Sequence, residues 1–215
     1  GITALYLYRR YSKSKLPKSN QSIKTSQPSD NNRSSIIDKG EKQETSVVSL
    51  KIKNQAVLQN QEASKAIESA RWKAKEAGAK VYVNGDFRII LFAPILTNSK
   101  DNTLKAIRAA QTIERILNEY NKRFSTKIDF GIGVGVGELI VESKAGKFKF
   151  MSADNTITST KNIAQSSNSE VLISEKLHRY TAGKVRTEKR SDNTWKVNLI
   201  ADRSDQRDFL QNLKK

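Results

Sequence analysis

The spacing of apolar and polar positions changes period several times along the chain, and each change marks an element. Residues 47–52, VVSLKI, read as a strand. Over residues 56–77, Val57, Ala63, Ala66, Ile67, Ala70 and Ala74 recur at helical spacing, and Gly78 is placed to end that helix. Residues 79–93 hold two short strands around Asn84-Gly85-Asp86; Asn-Gly favours a tight hairpin because both residues tolerate positive φ. Ile89, Ile90, Leu91 and Phe92 then run without a polar break, as a central strand buried on both faces does. Asp101 is placed to cap a helix over 102–124, whose stripe is Leu104, Ile107, Ile113, Ile116, Leu117, Tyr120 and Phe124.

Residues 127–136, KIDFGIGVGV, alternate strictly. Ile128, Phe130, Ile132, Val134 and Val136 face one way, and Lys127, Asp129, Gly131, Gly133 and Gly135 the other. Glycines along one face mean that another backbone, a partner chain or a ligand lies close there. No helix opens at the end of this GxGxG, so it is not a dinucleotide fingerprint. Residues 137–141 are expected to pair back with 147–151. A polar helix follows over about 155–166, a strand over 171–174, a short helix over 175–180, and a closing pair of strands, 184–188 with 195–200. The strand–helix–strand–strand–helix–strand core is the ferredoxin-like, split βαβ plan of an α+β protein. Helices are expected on one face of its sheet, with the hairpin tip and the glycine strand on the other.

Ahead of this unit the periodicity disappears. Residues 1–8, GITALYLY, are apolar and are followed by Arg9 and Arg10. Eight residues cannot span a bilayer, which needs about 20. They read as the end of a transmembrane helix over residues 1–11, with basic residues on the cytoplasmic side; the alternative is an unstructured end. Residues 12–45 read as a disordered basic linker. Lys13, Lys15, Lys18 and Lys24 would draw it to an anionic leaflet by about 1 kcal/mol each, or simply keep it solvated. The folded domain is expected over 46–200 and a charged tail, prone to fraying, over 201–215.

Composition narrows the chemistry. The 215 residues carry a formal net charge of +17, which calls for an anionic partner: nucleic acid, an acidic membrane surface or an acidic protein. With no cysteine, disulfides, thiolate metal sites and a cysteine nucleophile are excluded. The one histidine, His178, excludes histidine-cluster metal sites and reads as a surface residue of a short helix.

Asp86 at the hairpin tip is a turn residue on spacing alone. Its surroundings add a resemblance. The stretches VVSLKIKN, AKVYVNGDFRIILFAP, KIDFGIGVGVGELIVES and ADNTITSTKNIA with SSNSEVLISEKL follow one another as do the motifs of the class III adenylate/guanylate cyclase catalytic domain. The likeness covers about residues 46–180, and an unrelated ferredoxin-like domain is the alternative.

The resemblance implies two aspartates that hold two divalent ions at a triphosphate. The second matches Asp86; the first falls on Lys51. A charge pair at ~4 Å and an effective dielectric near 20 is worth about 4 kcal/mol, so exchanging an attraction for a repulsion beside a dication removes the metal site. The transition-state Asn and Arg fall on Thr158 and Asn162; sliding the register by one brings Lys161 in instead. The base-reading Lys falls on Tyr82 and its acidic partner near Met151, so Lys51, Tyr82 and Met151 are the vestigial nucleotide-binding positions. Lys51 either pairs with Asp86 as a structural salt bridge or grips a phosphate directly.

What the resemblance then implies is a catalytically inactive, membrane-tethered cyclase-like domain. It would act in dimerisation or regulation, with itself or a second cyclase-like domain, and Gly131, Gly133, Gly135 and Gly137 would form the dimer interface. No cofactor is expected, and Mg or Mn only with residual nucleotide binding. The alternatives are an active cyclase with unusual ligands or a complementary partner, and a basic nucleic-acid-binding module using Lys184, Arg186, Lys189 and Arg190. The last lacks the exposed aromatic array of single-strand binders.

Overall fold

Strand β1, Glu41–Ile52, organises the sheet, because both of its edges are paired along much of its length. A computed structural model describes residues 40–144 and 147–200. After β1 come a 3₁₀ turn at Gln55–Gln59, helix α1 (Gln61–Glu76), strands β2 (Lys80–Asn84) and β3 (Phe87–Phe92), a short helix α2 (Pro94–Thr97) and helix α3 (Thr103–Arg123). The chain continues through β4 (Phe130–Lys144), β5 (Lys147–Ser152), α4 (Thr156–Ser166), β6 (Val171–Ser174), α5 (Glu175–Tyr180), β7 (Val185–Ser191) and β8 (Thr194–Ile200).

The strand order is β2-β3-β1-β4-β6-β8-β7, with β5 on the outer part of β4. Its first half, β2-β3-β1-β4, joined through α1 and α3, is the split βαβ plan expected from the sequence. Alternation sorts the core. Val48, Leu50, Ile52, Ile90, Phe92, Phe130, Ile132 and Val134 lie under the inner stripes of α1 and α3. All are essentially inaccessible to solvent. The N-cap position of α3 is Asn102, one residue past the expected Asp101; Asp101 still binds the helix start, its Oδ1 accepting from both the amide (2.9 Å) and the hydroxyl (2.6 Å) of Thr103. Gly78 takes φ +89° just after α1, and Gly85 takes φ +56° in the hairpin turn.

The other face departs from expectation. It is not left bare, because α4 lies across it. A Cβ added to Gly131 would stand 2.0 Å from the carbonyl oxygen of Ala164, and one on Gly133 2.3 Å from that of Thr160. On Gly137 it would meet the side chains of Thr156 and Asp154. The close backbone that the glycines announce thus belongs to the same chain. Gly131, Gly133, Gly135 and Gly137 are buried beneath α4 and do not present a surface to a second copy. Alternating glycines record a close approach without saying which chain makes it.

Two smaller differences have plain causes. β1 begins at Glu41, not near residue 46, since residues 41–44 pair with the outer part of β4 while their polar side chains stay largely in solvent. A solvated strand extension leaves no apolar signature. His178 is half-buried, its ring stacked on Trp195 at 4.5 Å and 4°, with Nδ1 3.1 Å from the Thr187 hydroxyl. The partners come from β7 and β8, which a helix-local reading cannot see. The expectations for residues 1–11, most of 12–45 and 201–215 fall outside the described residues. Among the described residues, no helix is long and apolar enough to cross a membrane.

Candidate functional site

The β2–β3 hairpin brings Asp86 to the end of β1. The Ile52 amide donates to the Asp86 carbonyl at 3.0 Å, and Lys51 is in register with Phe87. Lys51 Nζ therefore stands 3.6 Å from Asp86 Oδ2, with 14% of the lysine side chain exposed against 48% of the aspartate. The two positions implied by the family resemblance are brought together, as an ion pair.

A second ammonium joins them from α4. Lys161 Nζ lies 4.6 Å from the centre of the Phe87 ring, and Lys51 Nζ lies 4.9 Å from it. Lys161 also reaches Asn84 Oδ1 at 3.4 Å, and among the described residues no carboxylate lies within ion-pair distance of it. A third ammonium on this face, Lys80 Nζ, donates to the Phe148 carbonyl at 3.0 Å and lies 5.6 Å from the Tyr82 ring. Two lysines, Lys51 and Lys161, thus share the Phe87 ring beside the Asp86 carboxylate, and Lys80 lies further along the hairpin at Tyr82.

Beneath them is a small apolar cluster of Val47, Ile89, Leu91 and Leu139, with Tyr82, Phe87, Phe150 and Ile157 half-buried at its margin. Burial pushes the Tyr82 hydroxyl pKa up. Met151 is not part of this cluster. It opposes Ile140 in the β4–β5 ladder, one position out of phase with Leu139 and Val141, while Phe150 joins the cluster. Tyr82 and Met151 therefore do not converge as a base-reading pair.

Helix α4 divides the remaining positions. Ile157 and Lys161 lean towards the hairpin. Thr158 and Asn162 are exposed and line an open groove of about 880 Å³ on the flank towards α5 and the β7–β8 turn. Asp154 anchors the start of the helix, accepting from the Thr156 amide at 2.8 Å and the Glu138 amide at 3.1 Å. Burial raises its pKa, but these hydrogen bonds outweigh it and hold the carboxyl below its ordinary value. Lys161, Phe150 and Ile157 come to this face only through tertiary packing; the one-residue slide of the α4 register was the only sequence signal for Lys161.

The donor set does not suit two divalent ions. Among the described residues Asp86 is the one carboxylate at this position and an ammonium already holds it, while hard cations need several oxygen donors. No group of three or more acidic, histidine or cysteine side chains is close enough to hold a metal among the described residues.

No protein-family model matches the chain, and no curated protein matches it. Solved structures do. The chain is similar to the guanylyl cyclase Cya2, at 16% identity and a TM-score of 0.60, over 76% of this chain and 96% of that one. It is also similar to a monomeric double mutant of the guanylyl cyclase domain of the RhoGC fusion protein from Blastocladiella emersonii (15%, 0.62, 76% and 99%). The adenylyl cyclase CyaB from P. aeruginosa matches at 14% identity and 0.56, over 76% and 97%. A dimeric form of the B. emersonii domain, described as non-canonical, matches as well, with a TM-score of 0.62. This chain has the α+β fold of class III nucleotidyl cyclase catalytic domains.

Proposed function

We propose that the protein is a non-catalytic nucleotidyl cyclase-like signalling domain, acting through association with a second copy or another cyclase-like domain. One observation carries this reading: the Lys51 ammonium, 3.6 Å from Asp86, stands where the resemblance calls for the first of the two metal-binding carboxylates. The altered positions agree with it. Thr158 and Asn162 offer no cation to a transition state, and Tyr82 and Met151 offer no lysine–carboxylate pair to a base.

The association surface is the margin of the smaller core. One face of the sheet is covered by α1 and α3, but on the other α4 leaves Tyr82, Phe87, Phe150 and Ile157 half-exposed. Apolar groups partly open on a sheet face gain by further cover. The related B. emersonii domain has a dimeric form. Tethering at the cytoplasmic face of a membrane is part of the same proposal and rests on the apolar residues 1–8 followed by Arg9 and Arg10.

The test is direct. Purified full chain, incubated with manganese and labelled ATP or GTP, is expected to form no cyclic nucleotide, and clear turnover overturns the reading. Sedimentation is expected to show self-association that Phe150→Ser weakens. A strictly monomeric species at high micromolar concentration would count against a homodimer, leaving a different cyclase-like domain as the partner.

A further inference from the structure

Lys51 and Lys161 raise a question that loss of catalysis does not answer. A position vacated by two dications needs no replacement charge, and an alanine or serine would serve. Here the site has gained cations. Lys51 is held mostly out of solvent, where an ammonium needs an anionic or polar partner. It has one, Asp86 Oδ2, at 3.6 Å, longer than a charge-assisted hydrogen bond of about 2.7–2.9 Å. Among the described residues Lys161 has only an amide oxygen and the Phe87 ring. Phe87 holds both ammonium groups near its ring, so they stand no further apart than the sum of their two distances to its centre. Within that limit a linked pair of phosphates can meet both ammonium groups at once.

We propose that Lys51 and Lys161, both close to the ring of Phe87, form a metal-independent site for a pyrophosphate-type anion. Lys51 takes over the charge neutralisation that divalent ions would supply, and Asp86 competes with the anion for it. The proposal rests on reading the Lys51–Asp86 position as one that has lost its metals. It deepens that reading by naming the ligand chemistry. The anion needs no base-reading contact, in keeping with the dispersal of Tyr82 and Met151. Compact ammonium groups suit it because they neutralise phosphate oxygens as point charges without fixed geometry. Whether it arrives as free pyrophosphate or as the tail of a nucleotide is a matter of source, which the test separates.

The sharpest consequence concerns Asp86. In a metal site, removing this carboxylate abolishes phosphate binding. In a lysine site, removing it frees Lys51 and strengthens binding.

Titration calorimetry of the full chain with inorganic pyrophosphate, in EDTA and about 150 mM salt to suppress diffuse attraction, is expected to show saturable binding. Lys51→Ala and Lys161→Ala should each weaken it at least about fivefold. Lys105→Ala, on the exposed side of α3 away from this face, should leave it unchanged. Asp86→Ala should tighten it about threefold or more. ATP in EDTA binding no tighter than pyrophosphate identifies the phosphate chain as the recognised group; much tighter binding points to a nucleotide as the source. Circular dichroism checks folding, and Lys161→Ala, on the flank of α4, keeps the test decisive should Lys51→Ala unfold. No binding, a requirement for magnesium, binding unchanged from the wild type in the two lysine variants, or weaker binding by Asp86→Ala would each overturn the proposal. Cyclic-nucleotide formation is read in the separate turnover assay. A failure of the non-catalytic reading therefore shows there, and a failure of the anion site shows here.

Discussion

The hydroxyls of Ser49 on β1 and Thr160 on α4 lie 2.9 Å apart in a site with no solvent access to Ser49 and 1% to Thr160. The Ile157 carbonyl, 2.9 Å from the Thr160 hydroxyl, accepts its proton when Ser49 donates to Thr160. This polar link fixes α4 over the glycine strand and sets which of its flanks meets the hairpin. Thr160→Val should leave the Ser49 hydroxyl buried without a partner and cost roughly 1–3 kcal/mol, whereas Ser49→Ala with Thr160→Val should recover part of that loss. Urea unfolding of the two single variants and the double variant measures the coupling. Additive losses would show that the hydroxyls act independently.

Two glycines should respond very differently to alanine. At Gly133 a Cβ would meet the Thr160 carbonyl oxygen at 2.3 Å and the Ala164 amide nitrogen at 2.7 Å, and helix backbone cannot yield locally. Gly133→Ala is expected to lift α4 and cost about 3 kcal/mol or more, within the range of overpacked cores. At Gly85 nothing lies within 4 Å, so only the φ of +56° opposes a side chain. Gly85→Ala should cost about 1 kcal/mol. Denaturant midpoints compare them, and equal losses would contradict the close packing of α4.

Restoring a carboxylate on β1 tests the electrostatic origin of the altered site. Lys51→Asp puts two acidic groups at the end of β1 and the hairpin, destabilising the protein without metal and creating affinity for manganese. At a hundredfold excess over its Kd, a ligand stabilises the fold by about 2.7 kcal/mol, which is roughly 5–10 °C in Tm for a domain of this size. Thermal melts with and without manganese should show that rise in the variant and little in the wild type. A wild-type rise of the same size would mean that Lys51 does not exclude the metal.

Asp101 gives a pH prediction. Hydrogen bonds from the Thr103 hydroxyl and amide lower its pKa below the ordinary aspartate value. A depressed folded-state pKa gives stability that is present above the unfolded value, near 3.9, and is lost as pH falls through the folded one. Asp101→Ala should therefore cost about 1 kcal/mol at neutral pH, as removal of a helix cap does. The gap between variant and wild type should narrow below about pH 4. Urea unfolding across that range checks it, and a pH-independent gap would deny the carboxylate its role.

Local pattern alone determined much of the architecture. The turn of Asn84 and Gly85, the stripes of α1 and α3, the strand at 171–174 and the helix at 175–180 could be read directly, because burial on one face imposes a period on the residues that share it. The Lys51–Asp86 pairing was legible too, through the order of motifs. Three things were decided only in three dimensions. One was that α4, and not a second chain, fills the space over Gly131 and Gly133. Another was that Lys161 and Lys51 share the ring of Phe87. The last was that Met151 falls out of phase with Phe150. A sequence records that a position must be small, charged or apolar. Which distant residue imposes that requirement depends on strand register and helix placement, and these are settled by long-range pairing that no local period encodes.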